Sequence, residues 1–183
     1  MIEQKEIGLN SRAEANIIEE SLGKLPLITA PMYSVVDEHN YQYFLDNNIN
    51  VCLPRSNKYI ETSEVFISLS LNDFIDRYIT NSYEMTSKSF VCIDTANGNM
   101  PKLHDAIVKA KGIHNDMLII MAGNVGSAKV FVELAATGVD YIRVGLGGGD
   151  ACTTTKHTGV GQKNLCTLIE ECHYDKISLQ LVT

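Results

Sequence analysis

Short apolar runs alternate with amphipathic stretches along most of the chain. The runs predict seven strands, because each is short and mostly apolar, as in a parallel sheet buried on both faces. They cover Leu27–Ala30, Ile49–Leu53, Val65–Leu69, Ser89–Ile93, Met117–Met121, Val139–Val144 and Ile177–Val182.

The stretches between these runs predict helices. Asn72 is a suitable N-cap for the second helix, and Gly112 a suitable C-cap for the third. Regular alternation of strands and helices predicts βαβ crossovers and a parallel sheet. The predicted helices are Glu38–Asn47, Asp73–Ile79, Lys102–Lys111, Ser127–Ala136 and Lys163–Cys172.

Two architectures fit this alternation, a doubly wound open sheet and a (β/α)₈ barrel. A dinucleotide-binding open sheet would have glycines in its first strand–helix turn, whereas Ala30–Ser34 contains none. The glycines cluster after the sixth predicted strand instead. We therefore expect an α/β fold of the (β/α)₈ TIM-barrel type. It would be incomplete, with about seven strands and the eighth missing, and form a single domain over residues 1–183.

Composition narrows the class of protein. The chain has 183 residues, 45% of them hydrophobic, and a net charge of −7. This charge argues against nucleic-acid and anionic-membrane partners, which need a basic surface. No apolar run approaches the ~20 residues of a membrane span, and a cytoplasmic location is expected. The five cysteines form no CxxC pair and no zinc-type spacing.

The stretch from Arg143 to Gln162 carries the clearest chemical signal. Six of its residues are glycines, which permit close backbone approach to a ligand. Cys152 lies among them, and nearby Lys156 and His157 favour a reactive thiolate. The alternative is a surface loop with an incidental cysteine.

Polar residues also follow other predicted strands. Asp94 and Asn97 come after one strand and Asn124 after the next. In a barrel, these strand ends share one mouth. Taken singly, Asp94 could be a helix cap and Asn124 an Asx turn.

Together these motifs resemble the inosine monophosphate dehydrogenase / guanosine monophosphate reductase family. The resemblance rests on Asp94-x-Ala-Asn-Gly, Ala122-Gly-Asn-Val, Val144-Gly-x-Gly-x-Gly-x-x-Cys-Thr-Thr and Thr158-Gly-Val-Gly, with Ser11-Arg-Ala-Glu and Ala30-Pro-Met earlier. The first motif is closer to the reductases. The lack of a CBS-type domain inserted between the second and third predicted strands also favours the reductases.

The resemblance implies NADPH-dependent reductive deamination of GMP to IMP and ammonia, through a covalent thioimidate between Cys152 and purine C2. One alternative is IMP dehydrogenase-like oxidation of IMP to XMP with NAD. A non-enzymatic alternative is a degenerate barrel fragment that acts as a binding or assembly module. The expected partners are a purine nucleoside monophosphate and either further copies, a tetramer by family habit, or a chain that completes the barrel.

The family pattern also implies residue roles. Thr154 would act with Cys152 near the leaving group. By the same pattern, the residues that would bind the substrate are Met32, Asn124, Arg143 and Gly145. Those that would bind the cofactor are Asp94, Asn97 and Gly98. Backbone carbonyls of Gly147, Gly149 and Cys152 would hold a monovalent cation such as K⁺.

Four departures from the family pattern stand out. Asp150 occupies a position that often holds serine near the nucleotide phosphate, where a carboxylate would repel the phosphate. Tyr33 replaces an aspartate, and Pro54-Arg55 replaces His-Lys. The chain also ends at Thr183, before the family's Asp-Gly-Gly. We therefore expect it to be truncated at its C-terminus relative to the family.

Overall fold

The computed structural model describes residues 24–56, 64–81, 84–146, 168–169 and 180–182, the last as strand backbone. The strands are β1 (Val51–Leu53), β2 (Val65–Leu69), β3 (Ser89–Asp94), β4 (Leu118–Val125), β5 (Tyr141–Val144) and β6 (Gln180–Val182). The helices are α1 (Tyr41–Asp46), α2 (Leu71–Ile75), α3 (Pro101–His114) and α4 (Ala128–Ala135). A π-helical turn at Asp76–Thr80 extends α2, and a 3₁₀ turn at Asn115–Met117 follows α3.

These strands form one parallel sheet in which each pairs with its neighbour along the chain, in the order β1-β2-β3-β4-β5-β6. Helices α2, α3 and α4 occupy the connections from β2 to β5. A doubly wound sheet would reverse its strand order at a switch point, whereas a barrel wall adds strands in sequence. The barrel prediction is confirmed, since the described strands form part of such a wall.

A single aromatic contact shows that the sheet curls. The rings of Phe66 on β2 and Tyr141 on β5 lie 5.5 Å apart, although β3 and β4 separate their strands. In a flat sheet, three strand spacings would put them about 14 Å apart. The face that carries both rings is therefore concave. Its buried residues are Cys52, Phe66, Cys92 and Met121.

The convex face packs against the helices. Alternation along β3 points Val91 and Ile93 outward, while Cys92 between them faces inward. Burying each large apolar side chain contributes about 1.5–3 kcal/mol, so this layer is the main hydrophobic core. The helices contribute Phe74, Leu103, Ile107, Phe131 and Leu134 to it.

The predicted N-cap of α2 is wrong. The helix begins two residues earlier than expected, and the Ser70 hydroxyl caps it by accepting a 3.2 Å hydrogen bond from the Asp73 N–H. The Asn72 side chain instead accepts a 2.8 Å hydrogen bond from Lys102 on α3. A tertiary contact has therefore taken the side chain that the local pattern assigned to the cap.

The predicted C-cap of α3 is also wrong. The helix continues through Gly112 to His114, and Asn115, with φ 49°, follows it. The His114 ring donates a 2.8 Å hydrogen bond to the Tyr78 carbonyl and packs edge-on against the Tyr78 ring. These contacts stabilise the additional residues.

The predicted strand Leu27–Ala30 is reduced to one bridge, between Ile28 and Asn50. The Thr29 hydroxyl accepts a 2.9 Å hydrogen bond from the Cys52 N–H, which replaces a main-chain ladder contact. Of the predicted helix Lys163–Cys172, only residues 168–169 are described, and Leu168 is buried in the convex-face core. Within the described ranges, no helix combines the length and apolarity needed to cross a membrane.

Candidate active site

An ion pair lies at the carboxyl end of the wall. Asp94 ends β3 and Arg143 lies on β5, and in the strand register both align with Gly123 on the intervening β4. The Arg143 Nη1 donates a 2.5 Å hydrogen bond to Asp94 Oδ1. Because the residue between them has no side chain, the two can meet directly across β4.

Gly123 is required at this position. Its φ is 142°, which side-chain-bearing residues rarely adopt. A Cβ there would lie 2.5 Å from the Arg143 carbonyl oxygen, closer than van der Waals contact permits. The close packing of β4 against β5 beside the ion pair therefore depends on glycine.

Arg55, two residues beyond β1, adds a second guanidinium. Its Nη2 donates to the Asp94 main-chain carbonyl and lies 3.6 Å from Asp94 Oδ2. The exposed fractions of the side chains are 51% for Arg55, 32% for Asp94 and 21% for Arg143. The carboxylate thus lies between a half-exposed cation and a more deeply placed one, and the three formal charges sum to +1. We call these three residues the mouth cluster.

Sulfur atoms lie beneath the mouth cluster. Arg143 Nη1 is 3.8 Å from Cys92 Sγ. Burial acts to lower the pKa of Arg143, but the interactions with Cys92 and Asp94 outweigh it and raise that pKa, so Arg143 is a fixed cation. The hydrogen bond to Cys92 and burial raise the pKa of the Cys52 thiol, which makes it a neutral core group.

Asn124 joins two loops at the mouth. The β4–β5 register shifts between Gly123 and Val125, which leaves Asn124 in a bulge, and bulges commonly redirect side chains beside functional sites. Its Nδ2 donates a 2.9 Å hydrogen bond to the Gly145 carbonyl. Its main-chain carbonyl accepts one of 2.8 Å from the Gly98 N–H. The loop after β3 and the start of the glycine-rich stretch are therefore fastened to the same residue.

The loop after β3 lies close against β4. A Cβ on Gly98 would meet the Asn124 carbonyl oxygen at 2.9 Å, so glycine suits this position as well. The His104 ring donates a 3.1 Å hydrogen bond to the Gly98 carbonyl from the first turns of α3. Asn97 is exposed and accepts a 2.9 Å hydrogen bond from the Asn99 N–H, as in an Asx turn.

The structure thus brings together Asp94, Gly98, Asn124, Arg143 and Gly145, whereas Met32 lies 52% exposed in the turn after the Ile28 bridge. Gly147, Gly149, Cys152 and Thr154 lie outside the described residues, and their assigned roles stay predictions. Across the described ranges, no group of three or more His, Cys, Asp or Glu is arranged to hold a metal ion.

Sequence reasoning noted Pro54-Arg55 as a departure from the family pattern but assigned Arg55 no role in the site. The available signal was its position just beyond a strand, on the side where barrel enzymes carry functional residues. Tyr33 was likewise noted as a departure but given no role, and its hydroxyl donates a 2.8 Å hydrogen bond to the Arg55 carbonyl. That contact spans 22 residues of sequence, so no local pattern indicates it.

A parallel barrel wall with ionic and polar groups at its carboxyl strand ends defines the (β/α)-barrel class of enzyme folds. Residues 78–179 match the IMP dehydrogenase / GMP reductase domain. This match covers more than half of the chain. The protein therefore belongs to the IMP dehydrogenase / GMP reductase family.

Similarity to individual proteins supports the same family assignment. The chain is 30% identical over 193 residues to a GMP reductase of Buchnera aphidicola subsp. Schizaphis graminum, covering 93% of this chain and 54% of the relative. It is 42% identical over 82 residues to a GMP reductase of Shewanella pealeana, covering 45% and 23%. An inosine 5′-monophosphate dehydrogenase crystal structure from Legionella pneumophila superposes with a TM-score of 0.66 at 26% identity, covering 84% and 50%. The chain spans about half the length, or less, of these relatives.

Proposed function

We propose that this chain carries the catalytic cysteine of a GMP reductase-like oxidoreductase. Its relatives named GMP reductase support this choice between the two branches of the family. The main structural support is the hydrogen bond from Asn124 to the Gly145 carbonyl. It fixes Gly145, where the glycine-rich stretch begins, beside the mouth cluster, and the same stretch continues in sequence to Cys152. The overall reaction would convert GMP, NADPH and two protons into IMP, NADP⁺ and ammonium.

In the proposed reaction, the Cys152 thiolate would add to C2 of guanine. The C2 amino group would take up a proton from solvent and leave as ammonia, with Thr154 near the leaving group. Bound NADPH would supply a hydride to C2, and the C–S bond would break with its electron pair returning to Cys152 as the thiolate. A soft nucleophile that both adds and leaves readily suits this two-stage exchange.

The mouth cluster suits a nicotinamide cofactor. A carboxamide has both a donor and an acceptor, and here Asp94 offers acceptor oxygens beside the donor groups of two guanidiniums. Asn97 and Gly98 follow in the same loop. A K⁺ ion on the carbonyls of Gly147, Gly149 and Cys152 is part of the proposal and is tested by exchanging K⁺ for Na⁺.

The IMP dehydrogenase reaction is the second candidate, favoured by the Legionella pneumophila structure. It would convert IMP, NAD⁺ and water into XMP, NADH and a proton with the same cysteine. The two candidates differ in nucleotide and in the direction of hydride transfer, so one set of assays separates them.

The first experiment is calorimetric titration of the purified chain with GMP and with IMP in K⁺ buffer, followed by an NADPH oxidation assay. We expect micromolar GMP binding and turnover with NADPH. Cys152→Ala should reduce turnover at least about a thousandfold while GMP still binds. The matched control Cys172→Ala, outside the glycine-rich stretch, should retain both.

Each alternative has its own outcome. NAD-dependent oxidation of IMP, without NADPH-dependent reduction of GMP, would favour the dehydrogenase. Full turnover by Cys152→Ala would disprove the covalent mechanism. Failure to bind either nucleotide would favour the binding or assembly module. Sedimentation of the same sample tests the proposed homo-oligomer or the need for a partner chain.

A further inference from the structure

We infer that Tyr33 is a positioning residue for Asp94 and acts through Arg55. The Tyr33 hydroxyl donates to the Arg55 main-chain carbonyl at 2.8 Å. The Arg55 guanidinium in turn donates to the Asp94 main chain and faces Asp94 Oδ2. Arg143 holds the other carboxylate oxygen. These contacts form a continuous path from the turn after the Ile28 bridge to β5.

The hydrogen bond of Tyr33 is not a by-product of burial. Tyr33 is 60% exposed, so water could satisfy its hydroxyl. Arg55 is half-exposed as well and has a long side chain that loses considerable rotamer freedom when it is held in one place. Anchoring the Arg55 backbone reduces the number of positions from which its guanidinium can leave Asp94.

A fixed Arg55 fixes the carboxylate. With one oxygen of Asp94 bound by Arg143 and the other facing Arg55, the plane of the carboxylate is defined on both sides. Met32, the proposed nucleotide contact, is the residue next to Tyr33. The turn that would touch the substrate is therefore linked to the carboxylate that would face the cofactor, a consequence that rests on the proposed function.

The first test needs no ligand. The chain has four arginines, Arg12, Arg55, Arg77 and Arg143, so ¹⁵N-arginine labelling of the full chain gives few guanidinium signals, assignable by single Arg→Lys variants. We expect Tyr33→Phe to accelerate guanidinium rotation of Arg55 at least about threefold and leave that of Arg77 unchanged. Tyr43→Phe, which removes the hydroxyl of another exposed tyrosine, should affect neither. Unchanged Arg55 rotation in Tyr33→Phe would overturn the inference.

The second test determines whether Tyr33 influences Asp94 through Arg55. We expect Tyr33→Phe to raise the KM for NADPH about three- to tenfold, with a smaller change in kcat and no change in thermal unfolding relative to Tyr43→Phe. In an Arg55→Ala background, the same substitution should have no further effect, because the side chain that transmits it is gone. Additive effects would show that Tyr33 acts by another route.

The two tests separate two kinds of failure. If the chain binds no nucleotide, the proposed function fails, but the rotation experiment still decides whether Tyr33 holds Arg55. If nucleotides bind and Arg55 rotation does not respond to Tyr33→Phe, the positioning role alone is wrong.

Discussion

The two ends of the parallel wall each hold a cation–carboxylate pair, but the pairs are built differently. At the amino end, Lys111 Nζ lies 2.6 Å from Asp140 Oδ2 and also donates to the Leu118 carbonyl at 2.8 Å. Asp140 accepts a 2.7 Å hydrogen bond from the Ile120 N–H. At the carboxyl end, the mouth cluster joins Asp94 of β3, Arg143 of β5 and Arg55 from the loop after β1.

The two sets of charged side chains differ in the groups to which they bond. Lys111 and Asp140 bond both to each other and to the β4 main chain, so they fasten α3 and the start of β5 to the wall. Asp94 instead meets two guanidiniums, one of them half-exposed. Barrel enzymes commonly use the amino end of the wall for stability and the carboxyl end for chemistry. Four substitutions test this division between the two ends of the wall.

Gly123→Ala should be the most damaging change. The new Cβ would lie 2.5 Å from the Arg143 carbonyl oxygen and 3.0 Å from its Cβ, at an unfavourable positive φ. We expect the free energy of unfolding, from urea titration, to fall by about 3 kcal/mol. Under the proposed function, nucleotide affinity should fall as well, because Arg143 must move. An unchanged urea midpoint would contradict the packing described here.

Asp94→Asn should impair activity rather than stability. The amide keeps the shape of the carboxylate but removes the charge between two guanidiniums. Under the proposed function, we expect turnover to fall about a hundredfold. Unfolding should change by no more than about 1 kcal/mol, because the group is partly solvated. Asp105→Asn on the exposed face of α3 is the matched control. Loss of stability without loss of turnover would place Asp94 among the structural residues.

Asp140→Ala should have the opposite profile. The Ile120 N–H and the Lys111 ammonium would lose an acceptor in a part-buried position, and we expect stability to fall by about 2 kcal/mol. Nucleotide affinity, measured by calorimetry on the folded variant, should stay within twofold of the parent. A large affinity loss at full stability would contradict the proposed division between the two ends.

Gly112→Ala should be mildly stabilising and acts as the control for Gly123→Ala. It lies inside α3, where an added Cβ meets nothing within 4 Å. Replacing a helical glycine by alanine gains about 0.5–1 kcal/mol. The thermal midpoint should therefore rise. A fall would show that this part of the helix is held in a conformation that alanine cannot adopt.

The strands show which strand bounds the sequence pattern predicts correctly and which it does not. The run Val65–Leu69 is apolar except for Ser68, and β2 has those same bounds. The predicted strand Met117–Met121 instead continues to Val125, through Ala122, Gly123 and Asn124. These are weak strand formers by local preference, and pairing with β3 and β5 holds them in the sheet.

In the site, too, the sequence predicts which residues lie near strand ends but not which of them contact each other. Asp94 and Arg143 could be predicted as mouth residues because each lies near a strand end. Their direct contact could not, since it depends on the glycine between them and on the curl of the wall. Arg55 reaches Asp94 across 39 residues of sequence, and only the assembled sheet brings them together. Residues 147–167, which include Cys152, lie outside the described residues, and the chemistry assigned to them rests on motif resemblance.

The order of strands has a consequence for how the molecule is made. Each strand of the wall pairs with the strand synthesised just before it. The entropy lost on closing a loop grows with the length of that loop, and proteins whose contacts are near in sequence fold faster. A growing chain can therefore add one strand–helix unit at a time to an edge that is already folded, while the ribosome is still translating the next.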